Sequence, residues 1–404
     1  MFFFVIVAFF LIFTDTLHEN MCEENNAMTT QTGKQSITFE KPPWIISSGC
    51  VAGTKEAEGP IGHEIDLVGE DDNFGCDIWE EAESTLQKEA LTIALGKAGL
   101  KAEELRYLFA GDLLGQSMAT SFGLQQFDLP LFGLYGACST AGESLALAAM
   151  TVSAGYANLA GAVTSSHFAS AEKQFRFPLE YANQRPLCTT WTVTGAGAFV
   201  LGRDRYKTEN RCKSGLEKEE CTKTQGVQQK ECKGKACCDV CITGITPGKI
   251  VDYGVRDSMN MGAAMAPAAA ACIAAHLEDF SRSPSYYDKI ITGDLGAVGR
   301  EILIELLQQK NIDIGSCHTD CGLEIFDNER QGTGSGGSGC GCAAVTMSAH
   351  FLPMMRRGEL KRVLFVPTGA LLSKISFNEG ENVPGIAHAV VLEVLENTLK
   401  NSKE

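Results

Sequence analysis

The order of apolar and polar segments repeats once along the chain. Residues 79–100 are predicted to be helical, and an apolar strand that runs into Gly111-Asp112-Leu113 follows them. Residues 261–280 form an Ala-rich helical segment, and a second apolar strand then runs into Gly293-Asp294-Leu295. Helix, strand and Gly-Asp-Leu therefore occur twice in the same order, which indicates an internal duplication.

Each copy continues in the same way. A glycine turn opens a helix of small residues, at Gly136-Ala137-Cys138 in the first copy and at Gly339-Cys340-Gly341-Cys342 in the second. Two more strands complete each copy, at residues 159–166 and 194–201, and at residues 363–372 and 385–392. Because the strands alternate with helices and are nearly continuous apolar runs, the pattern predicts α/β halves with mostly parallel sheets, packed as pseudo-symmetric layers around their paired helices.

The duplication divides the chain into four parts. Residues 1–33 are an N-terminal extension, 34–203 the first half, 204–241 a Cys-rich insertion and 242–404 the second half. The extension opens with MFFFVIVAFFLIF, which no basic residue precedes and which is too short to span ~30 Å of hydrocarbon. We expect a start at Met21 or Met28; a weak signal or anchor and a genuine extension are the alternatives.

Composition limits the classes of function. The 34 Lys and Arg residues against 50 Asp and Glu residues give a net charge of −16, which argues against a nucleic-acid surface. Several of the 16 cysteines lie inside apolar or Gly/Ala-rich segments, which favours a reduced, intracellular protein, either cytoplasmic or peripheral at a membrane.

The insertion holds the only candidate metal ligands. Cys238 and Cys241 form a CxxC pair, but no second CxxC and no His follow at zinc-finger spacing. Zinc or another soft metal is therefore weakly indicated, and a loop with incidental thiols is the alternative. No other metal site is predicted.

Cys138 is the best candidate nucleophile in the chain. It follows a tight Gly-Ala turn and opens a helix, whose unpaired N–H groups favour a thiolate or a bound anion. The alternative is a buried, unreactive cysteine.

Ten segments of the chain resemble the thiolase superfamily and, within it, most closely the stage V sporulation protein AD family of spore-forming bacteria. The segments are GPIGHEID (59–66), AGDLLGQ (110–116), LFGLYGACST (131–140), TSSHFASAEKQFRFPLEY (164–181), TVTGAGA (192–198), ITGDLGAVG (291–299), HTDCGL (318–323), GGSGCGCAAV (336–345), TGALLS (368–373) and GIAHAVV (385–391). The N-terminal extension and the Cys-rich insertion depart from the family pattern.

The resemblance implies a thiolase-like fold, in which two pseudo-symmetric halves form a layered α/β/α/β/α sandwich. It implies a protein that binds dipicolinic acid (pyridine-2,6-dicarboxylate), alone or as its calcium chelate, and supports its uptake into the developing spore and its release at germination. No resident cofactor is expected, and calcium would enter only through the chelate. The expected partners are membrane-embedded sporulation proteins of the same operon, at the inner spore membrane, and a homodimer is left open.

Catalysis by Cys138 needs an imidazole that the expected positions lack. Superfamily enzymes activate their cysteine with a His and a second polar group, whereas these positions hold Gly293-Asp294-Leu295, Gly336-Gly337-Ser338 and Gly385. We therefore expect a binding protein. The alternatives are an acyltransferase or condensing enzyme that uses Cys138, and a scaffold whose pocket is vestigial.

A dianion with an aromatic ring needs N–H or cationic donors and a flat wall, which several segments offer. The candidate ligand-binding residues are Cys138, Ser139, Thr140, His167, Arg176, Lys55, His63 and His388. We expect them to meet in a pocket at the junction of the two halves.

Overall fold

The computed structural model describes residues 30–113, 117–175, 179, 184–205 and 238–395. Most of the N-terminal extension and of the Cys-rich insertion lies outside these residues, so their predicted roles stay predictions. The last residues of the insertion are described, because Cys241 already belongs to the first strand of the second half.

Each half contributes five main strands to one large sheet. The first half holds β1 (Trp44–Ala52), β2 (Tyr107–Asp112), β3 (Leu131–Gly133), β4 (Leu159–Ser166) and β5 (Gly195–Gly202), and the second holds β6 (Val240–Thr246), β7 (Lys289–Thr292), β8 (His318–Asp320), β9 (Arg362–Val366) and β10 (Ala389–Val394). The strands lie in the order β8-β7-β9-β10-β6-β1-β5-β4-β2-β3. Numbered within its own half, each half therefore has the order 3-2-4-5-1, and the internal duplication is confirmed.

The sheet is mixed, so the expectation of mostly parallel pairing was wrong. In each half the second strand pairs in parallel with the third and fourth, whereas the fifth strand is antiparallel to the fourth and to the first. Helices cover both faces of this sheet, so all central strands are apolar on both sides. A continuous apolar run therefore does not distinguish a parallel from an antiparallel neighbour.

Two of the predicted strands are each divided into two. Pro367 separates β9 from a short strand at Thr368–Ala370, and His388 separates a short strand at Gly385–Ala387 from β10. The two short strands pair with each other in a small sheet of their own. Proline has no N–H to offer a sheet, which explains the break after β9.

In the part of the chain that the structure describes, seven longer helices form layers on the faces of the sheet. They are α1 (Trp79–Ala98), α2 (Met118–Leu124), α3 (Thr140–Ser153), α4 (Phe168–Phe175), α5 (Met261–Asp279), α6 (Gly296–Gln308) and α7 (Cys340–Thr346, which a π-helical turn at Met347–Phe351 extends into Leu352–Arg356). α1 covers the outer face of the first half, α3 and α7 lie between the halves, and α5 and α6 cover the outside of the second half. The five strands of each half form a β layer of their own, continuous with the other at the β1–β6 edge, so the order of layers is the predicted α/β/α/β/α.

Shorter elements complete the described fold. The remaining strands are Thr30–Thr32, Ser36–Thr38, Leu67–Val68, Trp191–Thr192 and Gly337–Ser338, and the short helical turns are Thr54–Ala57, Gly62–Glu64, Ala102–Glu104, Gln125–Phe127, Pro284–Tyr286, Cys321–Glu324, Asn328–Gln331 and Lys374–Asn378.

The two halves meet tightly at glycines on the central helices. Among the main strands, the halves pair at a single residue pair, Trp44 opposite Cys241, while the short strands Ser36–Thr38 and Trp191–Thr192 add pairs with β6 and with Gly337–Ser338. The central helices α3 and α7 complete the junction. A Cβ atom on Gly341 of α7 would lie 2.4 Å from the carbonyl oxygen of Gly195, and one on Gly142 of α3 would lie 3.0 Å from that of His388. Only small residues allow this approach, which explains the small-residue composition of both helices.

One described helix, α5, has the length and apolar composition that a membrane span requires. Its apolar window is 67% buried inside the fold, and Pro267 lies within it. In this structure α5 is a core helix of the second half.

Candidate functional site

The turn that carries Cys138 is held in a strained backbone conformation. Ala137 has a φ of 50°, in the left-handed region that non-glycine residues rarely adopt. Ser139 donates its hydroxyl proton to the carbonyl of Gly136 (2.6 Å), and Thr140 donates its own to the carbonyl of Ala137 (2.7 Å). The hydroxyls of Ser139 and Thr140, two of the predicted ligand groups, thus stabilise the turn that opens α3.

The thiol of Cys138 faces a carboxylate of the second half. Cys138 is 3% exposed and donates a hydrogen bond to Asp294, which also accepts from Thr368 Oγ1 (2.7 Å), Gly339 N (3.0 Å) and Ser338 Oγ (3.2 Å). Burial, followed by the charge of Asp294, raises the pKa of Cys138 well above its ordinary value. These two effects outweigh the stabilisation that the N–H groups at the helix start give to a thiolate. Cys138 is therefore a protonated thiol at neutral pH.

Further acidic groups are buried close to Cys340, whose thiol interacts with that of Cys138. The thiol of Cys340 donates to the carbonyl of Ser165 (2.7 Å). The side chain of Asp112 accepts from Thr120 N (2.9 Å) and Oγ1 (2.8 Å), and that of Glu83 accepts from two serine hydroxyls. Burial raises the pKa of Glu83 to about 8, so this group is protonated at pH 7. A dianion placed beside Cys138 would face Asp294, whose charge would repel it in the low-dielectric interior.

His167 and His388 are buried and already engaged. The Nε2–H of His167 donates to the carbonyl of Asp72 (2.7 Å), and its Nδ1 accepts from Ala169 N (3.2 Å). Nδ1 of His388 accepts from Gly248 N (3.2 Å). Burial lowers the pKa of both rings, to about 4 for His388, so both are neutral at pH 7.

The other predicted residues are scattered. His63 is exposed and lies 3.7 Å from the carboxylate of Glu64. Arg176 lies outside the described residues. Cys241 sits in β6, where its thiol donates to the carbonyl of Glu393 and burial raises its pKa to about 12. That thiol is poorly suited to zinc, and the described parts of the chain bring together no group of three or more His, Cys, Asp or Glu residues that could hold a metal.

Lys55 lies in a different place, on the wall of a cavity of about 540 Å³. Its ammonium donates to the carbonyl of Gln331 (2.8 Å) and lies 4.3 Å from the centroid of the Trp191 ring. The guanidinium of Arg185 lies 5.0 Å from the same centroid. We refer to this space, walled by Lys55, Arg185 and Trp191, as the Trp191 cavity.

Sequence reasoning missed both Arg185 and Trp191. A local signal existed, because Trp191 directly precedes the family segment TVTGAGA and Arg185 is six residues before Trp191. The cavity itself forms only when the 184–191 loop meets the 328–334 loop, where Ser335 N donates to Thr189 O (2.9 Å) and Trp191 N donates to Gly336 O (2.7 Å). No local sequence pattern predicts that contact, because the two loops are far apart along the chain.

We predict that the folded chain loses stability between pH 6.5 and 8.5. Burial raises the pKa of Glu56 and of Glu83 to about 8, so the folded state keeps protons that the unfolded state releases near pH 4.5. Stability therefore falls as pH rises through this range, by at most ~1.4 kcal/mol per pH unit for each group. His276 and His318, whose pKa values burial lowers to about 3, act in the opposite sense only below pH 6.5.

Urea unfolding at several pH values measures this slope. Glu83→Gln should flatten it, while replacement of the exposed Glu103 should leave it unchanged. A free energy of unfolding that is constant or rises between pH 6.5 and 8.5 would contradict these shifts.

Comparisons with known proteins agree with the duplicated fold. In solved structures, a single-site variant of OleA from Xanthomonas campestris has a TM-score of 0.52 at 13% identity, covering 91% of this chain and 99% of its own. The 3-oxoacyl-(acyl carrier protein) synthase III, FabH, from Pseudomonas aeruginosa PAO1 has a TM-score of 0.50 at 13% identity, covering 88% and 99%. At such identities the likeness establishes the thiolase-like fold alone.

The sequence comparisons are more specific. Stage V sporulation protein AD of Bacillus subtilis strain 168 is 40% identical over 362 residues, which cover 90% of this chain and 97% of that protein. The family model for stage V sporulation protein AD matches residues 33–393. The chain therefore belongs to the stage V sporulation protein AD family.

Proposed function

We propose that this chain is a non-catalytic protein that binds dipicolinate and supports its uptake into the developing spore and its release at germination. Membership of the stage V sporulation protein AD family gives the chain a role in sporulation. The ligand is the one that the resemblance implies, as the free dianion or as its calcium chelate.

The hydrogen bond from Cys138 to Asp294 is the observation that carries the non-catalytic part of the proposal. A thiolase-type nucleophile needs a neighbouring base that takes its proton, and a carboxylate at this position instead raises the pKa of the thiol. The environment of Cys138 thus opposes formation of the thiolate with which acyl transfer begins.

Two other functions remain as alternatives. The solved structures of similar fold include a 3-oxoacyl-(acyl carrier protein) synthase, which makes an acyltransferase or condensing enzyme the first of them. The second is a scaffold that docks membrane proteins and whose pocket has no ligand.

We propose that the chain works at the inner spore membrane, on its intracellular side, beside the membrane-embedded proteins of its operon. Calcium would arrive only as part of the dipicolinate chelate. In this arrangement the chain delivers or accepts the ligand, and its partners carry the ligand across the membrane.

Isothermal titration of the purified chain with dipicolinate and with its calcium chelate tests the binding role. We expect saturable binding with a dissociation constant between micromolar and low millimolar, together with a rise in Tm. Pyridine without carboxylates is the matched control and should not bind. The absence of both heat and thermal stabilisation at several millimolar ligand would contradict the proposal and favour the scaffold or the acyltransferase.

A homodimer is also proposed, and the edge strand β3 supports it. Leu131 and Phe132 of this strand are 39% and 53% exposed, and Phe122 on the neighbouring α2 is 61% exposed. Within the described sheet, β3 pairs on one side only, with β2. An uncharged, apolar edge strand favours association, and a second copy that pairs with it would bury these side chains.

Phe132→Asp should convert the proposed dimer into a monomer, because it places a charge on the edge strand. Sedimentation equilibrium at about 10 μM protein measures the change. Tyr156→Asp, at another exposed aromatic residue, serves as the control and should leave the dimer intact. A wild-type chain that sediments as a monomer at this concentration would sink the dimer proposal.

A further inference from the structure

The Trp191 cavity contains a buried cation with an unused hydrogen-bond donor. The side chain of Arg185 is 8% exposed, and its Nη2 donates to the carboxylate of Glu172 (3.2 Å) and to the carbonyl of Thr190. Its Nη1 is buried and has no acceptor among the residues that the structure describes. Burial lowers the pKa of Arg185 only to about 10, so the group is charged at neutral pH. An unpaired, buried N–H of a guanidinium is costly unless a ligand supplies the acceptor.

Lys55 supplies a second cation on the same wall. Its ammonium has three N–H donors, of which Gln331 O takes one. Lys55 and Arg185 both lie against the ring of Trp191. An anion in this cavity can therefore meet two positive groups.

The aromatic wall is rigid. The rings of Trp191 and Phe168 stack with centroids 4.2 Å apart and planes 15° apart. Trp191 is also fixed by its strand pairing with Gly337 of the second half. The stack holds the indole in one orientation, so the cations that lie against it are held in place at the cavity.

The cavity contrasts electrostatically with the environment of Cys138. Glu172 neutralises part of the charge of Arg185, and Glu329 also lines the cavity, yet both cations keep donors for a ligand. The thiol of Cys138, in contrast, faces Asp294. The volume of about 540 Å³ lies within the ~300–1,000 Å³ typical of small-molecule sites.

We propose that the Trp191 cavity binds a planar aromatic dicarboxylate, with one carboxylate on the guanidinium of Arg185, the other on the ammonium of Lys55, and the ring beside Trp191. The inference rests on the proposed function in so far as the ligand is dipicolinate, and it assigns to that ligand a site away from Cys138. Among the residues selected from sequence, only Lys55 belongs to this site.

Titration calorimetry of the full chain with three probes tests the assignment. The probes are dipicolinate, its calcium chelate, and benzene-1,3-dicarboxylate, which keeps the ring and the carboxylate positions but lacks the ring nitrogen. We expect Arg185→Gln and Lys55→Gln each to weaken dipicolinate binding at least ~10-fold, since each removes a charge-assisted hydrogen bond. Trp191→Phe should keep most of the affinity, and Trp191→Ala should lose it.

Matched controls separate the site from general effects of charge. Lys249→Gln lies on another cavity wall, and Arg203→Gln lies on the exposed surface; both should bind like the wild type. Arg185→Gln removes the ion pair with the buried carboxylate of Glu172 and can unfold the chain. Lys55→Gln removes one hydrogen bond to a carbonyl and the cation–π contact with Trp191, and it breaks no buried ion pair, so it decides the result if Arg185→Gln does not fold.

Each outcome has a distinct meaning. If the wild type binds dipicolinate and Lys55→Gln binds it equally well, the cavity assignment is wrong and the proposed function stands. If the wild type binds benzene-1,3-dicarboxylate but neither dipicolinate nor its chelate, and Lys55→Gln loses that binding, the cavity assignment stands and the proposed function fails. Failure to bind any probe overturns both. Binding of the chelate alone identifies the calcium complex as the ligand form.

Discussion

The contact between Cys138 and Asp294 is the interaction on which the rest of the site depends. Asp294 follows β7 of the second half and accepts hydrogen bonds from the start of α7, from Thr368 and from the thiol at the start of α3. One buried carboxylate thereby ties the opening turns of both central helices together. The same contact keeps the thiol of Cys138 protonated. The hydrogen bond that stabilises the junction therefore also prevents Cys138 from acting as a thiolate nucleophile.

This arrangement separates two tasks that a condensing enzyme would combine at one place. The interior around Cys138 is rich in carboxyl groups and holds the halves together. Cationic and aromatic groups collect in the Trp191 cavity instead, where two loops and the short helix of Lys55 meet. A protein that handles an anionic ligand without transforming it needs affinity at the cavity and no chemistry at the cysteine, and the distribution of charge matches both requirements.

Much of the fold could be predicted because its signal is local. The apolar run at β4 was located from the sequence with the bounds Leu159–Ser166 that the structure has, and the helix predicted at residues 79–100 ends two residues earlier, at Ala98. The pairing direction could not be predicted, since a strand buried on both faces has the same composition whichever way its neighbour runs. The sequence pattern predicts one strand at residues 363–372, although Pro367 within it is a residue that interrupts sheet pairing.

The site was harder to predict because its chemistry depends on distant pairs. The helix start at Cys138 suggested a lowered thiol pKa, and only the fold brings Asp294, 156 residues further on, against the sulfur. The sequence predicts His167 and His388 as ligand residues, but in the structure their ring nitrogens form hydrogen bonds with backbone groups. Arg185 and Trp191 could be recognised as candidate site residues only in the folded structure, where two loops far apart in sequence together line the cavity.

The most direct test of this account is the titration of the Cys138 thiol itself. Carbon-13 NMR of protein labelled at the cysteine Cβ, with the signal assigned by its loss in Cys138→Ala, follows ionisation of that one group. We expect the Cys138 signal to keep its thiol position up to pH 9, because burial and Asp294 raise the pKa. A midpoint below pH 8 would mean that the thiolate is available, and the chain would then have to be treated as an acyl-transferring enzyme.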